Sequence, residues 1–256
     1  MKRLTPFVKN RVLWLCLALT SLSGAPLNAR KTGAVLEVQC EGKIGAMSAG
    51  MTLEVRHNTI TGGYYFLATD LRDIPIIGVI RDGEIKLSTA DGSRFNLRFE
   101  GNGSEHGERL DFDNSVALVG TRHDKERVER VDLGFLTMGA PTHGRRYAFA
   151  TDLSDAAFEA IIRKWRIAVL TGNRRVAAEY THFPLRVNAH RTYIMIRTPA
   201  ELYKRWGRIF TPAYLSRIRQ DLPHDMLGDS ASLLVGLGNG DVWFGDKGVE
   251  VLNLPD

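Results

Sequence analysis

From residue 33 onward, apolar and polar positions alternate in short bursts. Ala34-Val-Leu-Glu-Val-Gln-Cys40 alternates, and Met51, Leu53 and Val55 share one face of the next run. Thr59-Ile-Thr61 follows a turn at His57-Asn58, and Gly62-Gly63 leads into Tyr64-Tyr-Phe66. Ile74-Pro-Ile-Ile-Gly-Val-Ile80 runs into Asp82-Gly83, and Glu84-Ile-Lys-Leu87 runs into Asp91-Gly92. Phe95, Leu97 and Phe99 alternate with polar residues, and Leu110-Asp-Phe112, Val116-Ala-Leu-Val119 and Val128 to Phe135 complete the set. Short alternating runs parted by Asp-Gly predict two-residue antiparallel hairpins. So many in succession predict a β-meander, closed or folded on itself like a barrel.

Met138-Gly-Ala-Pro-Thr-His-Gly144 breaks the alternation with two glycines and a proline and reads as a connector. Tyr147-Ala-Phe149 beyond it reads as the last strand of the first domain or a short edge strand of the second. At residue 155 the period changes. Phe158, Ile161, Ile162, Trp165, Ala168 and Val169 recur at three- and four-residue steps, one apolar stripe of a helix with Ser154 as its N-cap. Gly172-Asn173 stops it, and Arg174 to Thr181 predicts a shorter helix. Leu185-Arg-Val187 and Tyr193-Ile-Met-Ile196 read as short strands. Thr198-Pro-Ala-Glu201 is a capping box with proline at the first helical position, and Thr211-Pro212 repeats the start signal. Ser232 to Val235, Asp241 to Phe244 and Val249 to Leu252 are closing strands with Gly-rich turns between them. The chain therefore divides into a β-rich domain at 30–138, a linker or edge strand at 139–150, and an α+β domain at 151–256.

The order helix, helix, short strands, helix and antiparallel meander in Ser154–Pro255 resembles the NTF2-like, or cystatin-like, α+β cone. Phe183-Pro-Leu-Arg-Val187, Ile209-Phe-Thr211, Pro223-His-Asp225 and Gly240-Asp-Val-Trp-Phe244 look like an exported bacterial branch of it. Residues 38 to 135, with Glu41-Gly-Lys-Ile-Gly45, Ile60-Thr-Gly-Gly-Tyr-Tyr-Phe66 and Leu118-Val-Gly-Thr121, resemble a β-rich module of bacterial envelope proteins. The cone hosts isomerases, dehydratases, binding modules and accessory domains, so the resemblance implies a fold and not a reaction. It implies a cone lined by Trp165, Tyr180, Tyr203, Trp206 and Trp243, the candidate ligand-binding residues.

Residues 1–29 read as a secretory signal. Lys2, Arg3, Lys9 and Arg11 form an n-region without acids, Val12–Leu22 is an apolar core too short to span a bilayer, and Leu27-Asn28-Ala29 offers a cleavage site. The reading implies a periplasmic or secreted protein without a transmembrane segment once the signal is cut. It also changes the charge. The chain has 34 basic and 29 acidic residues, and removing the four basic residues of the signal leaves 30 against 29. No basic stripe with interleaved aromatics remains, which excludes a nucleic-acid partner on this reading. Cys40 is left as a single cysteine in an alternating strand, which reads as a buried core thiol and not as a disulfide partner.

Candidate chemistry is sparse. Asp111-Phe-Asp113-Asn114 starts like a calcium loop, but Val116 and Arg122 stand where the turn glycine and the bidentate acid belong. Pro223-His224-Asp225 lacks the further ligands that a metal centre needs and reads as a turn. Glu179, Tyr180, His182, Tyr193, Tyr203, Asp225 and Asp241 are the polar groups available to the cone, and they form no catalytic motif. The sequence thus points to no catalytic residue, no metal and no cofactor. It points to an exported, non-catalytic envelope protein that binds a protein partner or a small apolar ligand, one version being an immunity protein or an inhibitor of a toxin or wall hydrolase. The alternative is an NTF2-like periplasmic isomerase, lyase or hydrolase.

Overall fold

The computed structural model describes residues 33–103, 107–125, 127–141, 144–238 and 240–255, so the expected signal segment lies outside the described residues. Among the described residues eight strands come first: β1 (Leu36–Ile44), β2 (Met47–Arg56), β3 (Thr59–Leu67), β4 (Ile74–Arg81), β5 (Glu84–Thr89), β6 (Arg94–Glu100), β7 (Ala117–Asp124) and β8 (Arg127–Gly139). Each pairs antiparallel with the next, and β8 returns to pair with β1, which closes the barrel and removes both sheet edges. The alternation read from the sequence sets the inner face. Val38, Met51, Leu53, Tyr65, Phe95 and Val131 point inward and are fully buried. Cys40 lies among them, with its thiol pKa pushed up by burial.

The two Asp-Gly turns differ. Arg81 faces Glu84 across the expected two-residue loop, with φ of 54° at Asp82 and 82° at Gly83, the left-handed pair that such a hairpin demands. Asp91-Gly92 belongs to a longer link between Thr89 and Arg94. There the Asp91 carboxylate accepts hydrogen bonds from the Thr89 hydroxyl, the Ser93 amide (3.0 Å) and the Tyr65 hydroxyl (2.6 Å). Below them Arg122, buried at this end of the barrel, donates to Glu129 at 3.0 Å and to the Ser93 hydroxyl at 3.0 Å. Leu110–Phe112 is loop instead of the expected strand, and Phe112 packs edge-on against Phe99.

The second half contains α1 (Asp155–Leu170), α2 (Arg174–Glu179), β9 (Thr181–Ala189), β10 (Thr192–Ile196), α3 (Pro199–Ile209), α4 (Pro212–Gln220), β11 (Leu227–Asp229), β12 (Leu234–Leu237), β13 (Val242–Gly245) and β14 (Gly248–Asn253). Its sheet runs β10-β9-β14-β13-β12-β11, antiparallel except where β14 lies parallel to β9. The class is therefore α+β, a closed antiparallel barrel followed by a mixed sheet with helices. Ser154, Thr198 and Thr211 cap their helices as the sequence suggests, each side chain accepting an amide of the first turn. Tyr147–Phe149 forms a turn and not a strand of either domain, and Tyr147 belongs to the second domain's core. That core is filled by aromatics: Trp165 meets Phe244 edge-on at 5.5 Å, and Phe210 bridges Trp206 and Tyr214.

Candidate functional site: the interdomain cleft

On the barrel's outer wall, β1, β2 and β3 place Gln39, Thr52 and Tyr64 in one lateral row by strand register. Gly50 and Phe66 are partners in a neighbouring row. A Cβ at Gly50 would stand 2.2 Å from the Phe66 ring, so glycine lets that ring lie across β2. The ring of His224 meets Phe66 edge-on at 4.5 Å. The second domain docks here through the turn that follows α4.

Five charged side chains meet at the junction. His224 places Nδ1 at 2.7 Å from Glu159 of α1 and Nε2 at 2.8 Å from Asp73 of the β3–β4 loop. Asp225 accepts from the Thr52 hydroxyl at 2.6 Å and from Gln39 at 3.4 Å, and the Tyr64 hydroxyl bonds it as well. Arg146 pairs with Asp73, lies 3.5 Å from Asp225 and 3.7 Å from Glu159, and sets its guanidinium 4.6 Å above the Tyr64 ring. Tyr147 donates to Glu159 at 2.9 Å and accepts from the Met226 amide at 3.1 Å. Asp155, in the first turn of α1, accepts from the amides of Arg146 and Tyr147, which fixes the entry of this chain segment.

The electrostatics follow from that geometry. Burial alone would lower the His224 pKa, but the hydrogen bonds to Asp73 and Glu159 outweigh it and hold the imidazolium to about 9. Both ring nitrogens then donate. Burial works to raise Asp73, and the hydrogen bond from His224 and the charge of Arg146 bring it below its ordinary value. Asp225 is raised by burial, which outweighs Thr52 and Arg146. Glu41, beside Gln39 on the outer wall, is pushed up to about 8 by burial and by the nearby Asp221 and Asp225.

Around this cluster a cleft of about 1060 Å³ opens between the domains. Its walls add Glu37, Glu54, Asp70 and Asp155 against Arg72 and Arg163, so acids outnumber bases. Among the described residues no group of three or more His, Cys, Asp or Glu is arranged to hold a metal ion.

The five aromatics expected to line a ligand site stand elsewhere, and none of them faces this cleft. Trp165 and Trp206 are buried in the second core, Tyr180 and Tyr203 pack partly buried against it, and Trp243 covers Gly236 and Gly240. Of the polar groups considered for the cone, Asp225 alone reaches the cleft. Asp241 is held by a bidentate contact from Arg217 at 2.7 and 2.6 Å, His182 lies 3.7 Å from Glu250, and Glu179 lies 3.7 Å from Arg175. Sequence reading missed Gln39, Thr52, Tyr64, Asp73, Arg146 and Glu159. The one local signal was Pro223-His224-Asp225, a His-Asp step beside a helix end. A search of protein-family models, curated proteins and solved structures finds no match to this chain.

Proposed function

We propose that the protein is an exported bacterial envelope protein in which the barrel and an NTF2-like second domain together hold a polar, positively charged ligand in the interdomain cleft, without turning it over. The observation that carries this reading is the cleft of about 1060 Å³ with its excess of acids. A ligand's ammonium or guanidinium group would find seven carboxylates there against four cationic side chains, Arg72, Arg146, Arg163 and His224. The charged floor supports binding over catalysis. His224 has both nitrogens engaged by carboxylates, so it is not poised as a base, and Arg146 is shared among three acids. The ligand is thus polar, in place of the small apolar molecule that a cone lined with aromatics suggested. The basic loop of a toxin or wall hydrolase, held as an immunity protein would hold it, meets the same requirement.

One observation favours the enzyme alternative. Asp225 is a buried carboxyl with a raised pKa next to the Tyr64 hydroxyl, the pairing that a proton-abstracting site uses. The test is titration calorimetry with spermidine, an arginine-containing dipeptide and citrate. Binding of the cationic probes, weakened by Glu54→Gln and Glu37→Gln, supports the reading. Preference for citrate, or heat from none of the three, overturns it.

A further inference from the structure

The second domain's sheet has two edges, and they are treated differently. The β11 edge is three residues long, and the Phe149 ring stands over its Gly228. The β10 edge, Thr192–Ile196, runs five residues in unbroken register with β9, without proline or bulge. Its central residues are apolar and exposed, Tyr193 by 55%, Ile194 by 40% and Met195 by 37%. Natural sheets blunt such an edge with charge, proline or distortion, because its outer backbone groups are a template for another strand. Strand β10 has none of these in its span. Beside it, Val187, Ile194, Ile209 and Leu254 form a small apolar hollow of about 130 Å³, with Arg205 and Arg208 of α3 at its rim. That volume suits one aliphatic side chain.

The charge around this edge says what fits. Between residues 186 and 208 stand Arg186, Arg191, Arg197, Lys204, Arg205 and Arg208, against the single acid Glu201, whose carboxylate is already bonded to the Arg197 amide. Register puts Ile194 on the face of buried Val187, the side of Arg205 and Arg208, and Tyr193 on the opposite face, where Arg186 lies 4.5 Å over its ring. Both faces of an added strand would therefore meet arginine. A second copy of this chain pairing β10 with β10 would set two basic rims against each other. An anionic lipid surface would satisfy the arginines but would leave the outer edge of β10 without a strand to bond.

We propose that β10 is a strand-addition site for an extended segment of a partner protein that carries alternating aliphatic side chains flanked by acids. Main-chain pairing supplies the affinity, the hollow under Ile194 takes one side chain, and the arginines select acidic flanks.

The test uses two fluorescein-labelled peptides, Asp-Glu-Val-Thr-Ile-Thr-Val-Glu and the same core with lysine in place of each acid, titrated with the protein by fluorescence anisotropy. The acidic peptide is expected to bind about tenfold or more tightly than the lysine peptide, and to weaken by a similar factor in Arg205→Glu/Arg208→Glu. Both substitutions lie on an exposed face of α3, so folding is retained, which circular dichroism checks. Hydrogen exchange at residues 192–196 is expected to slow when the acidic peptide binds. Equal binding of the two peptides, no binding, or binding without protection at 192–196 overturns the proposal. Protection of 192–196 by protein concentration alone overturns it in favour of a second copy. Binding of anionic phosphatidylglycerol vesicles, but of neither peptide, overturns it in favour of a membrane surface. None of these readouts involves the cleft, so the two proposals fail separately.

Discussion

His224 ties the domains together as an imidazolium, and that makes stability depend on pH in a way the geometry specifies. The ordinary value for the group is 6.5, and the site holds it at about 9. Between those values the folded protein binds a proton that the unfolded chain does not, so folding weakens as pH rises. The contribution is fully present below pH 6.5 and is lost as pH passes through 9. At about 1.4 kcal/mol per pKa unit, the loss amounts to roughly 3 kcal/mol. Two charge-assisted hydrogen bonds of 2.7 and 2.8 Å to buried or half-buried carboxylates are consistent with that size. Glu41, held to about 8, and Asp221, held to about 7, act in the same direction. Each keeps its proton longer in the folded state, so ionising it costs stability as pH rises from about 4 to 8. The assay is therefore a comparison, urea unfolding of the wild type and of His224→Gln at half-unit steps from pH 5 to 10. The difference between the two curves isolates the imidazole and is expected to shrink by roughly 3 kcal/mol between pH 6.5 and about 9.5. A difference that stays constant over that interval refutes the charged, doubly bonded histidine.

Three further outcomes follow from packing. Gly50→Leu drives a side chain into the Phe66 ring, and thermal unfolding is expected to show a loss of about 1–3 kcal/mol together with a weaker pH dependence, since His224 rests on that ring. Phe244→Ala removes the ring against which Trp165 packs, and denaturant titration is expected to show a loss of about 3–5 kcal/mol. Cys40, buried in the barrel with its thiol pKa raised, is expected to react with a maleimide at the rate of unfolding; fast labelling of the native protein would show an open barrel.

The barrel was legible because its inner face obeys a period of two, and Val38, Met51, Leu53 and Phe95 announce it. The same period concealed the site. Gln39, Thr52 and Tyr64 are polar residues on the outer face, which alternation assigns to solvent, and nothing local says that another domain lies on top of them. Glu159 stood one position away from the apolar stripe of α1, next to Phe158, and a helix reading takes such a residue as the stripe's wet border. It is buried, at 3% exposure, because two other segments bring it partners, Arg146-Tyr147 and His224. Asp82-Gly83 could be read because its left-handed backbone is a local demand. Asp91-Gly92 could not, because Tyr65 and Ser93 decide where that carboxylate goes. The tryptophans misled for a similar reason, since an aromatic stripe looks the same whether it encloses a pocket or fills one.

The bonds across the junction join residues 151 and 173 positions apart, Asp73 to His224 and Thr52 to Asp225. During synthesis the barrel, complete at β8, is made long before its counterpart emerges, and contacts so remote in sequence form late. The wall that waits is built mostly of Gln39, Thr52 and Tyr64, groups that water can satisfy, with the end of the Phe66 ring reaching over Gly50. A nascent barrel can stand in solvent with that face open and not cling to its neighbours. The junction's polarity, an expense in the finished molecule, is thus what makes its half-made form safe.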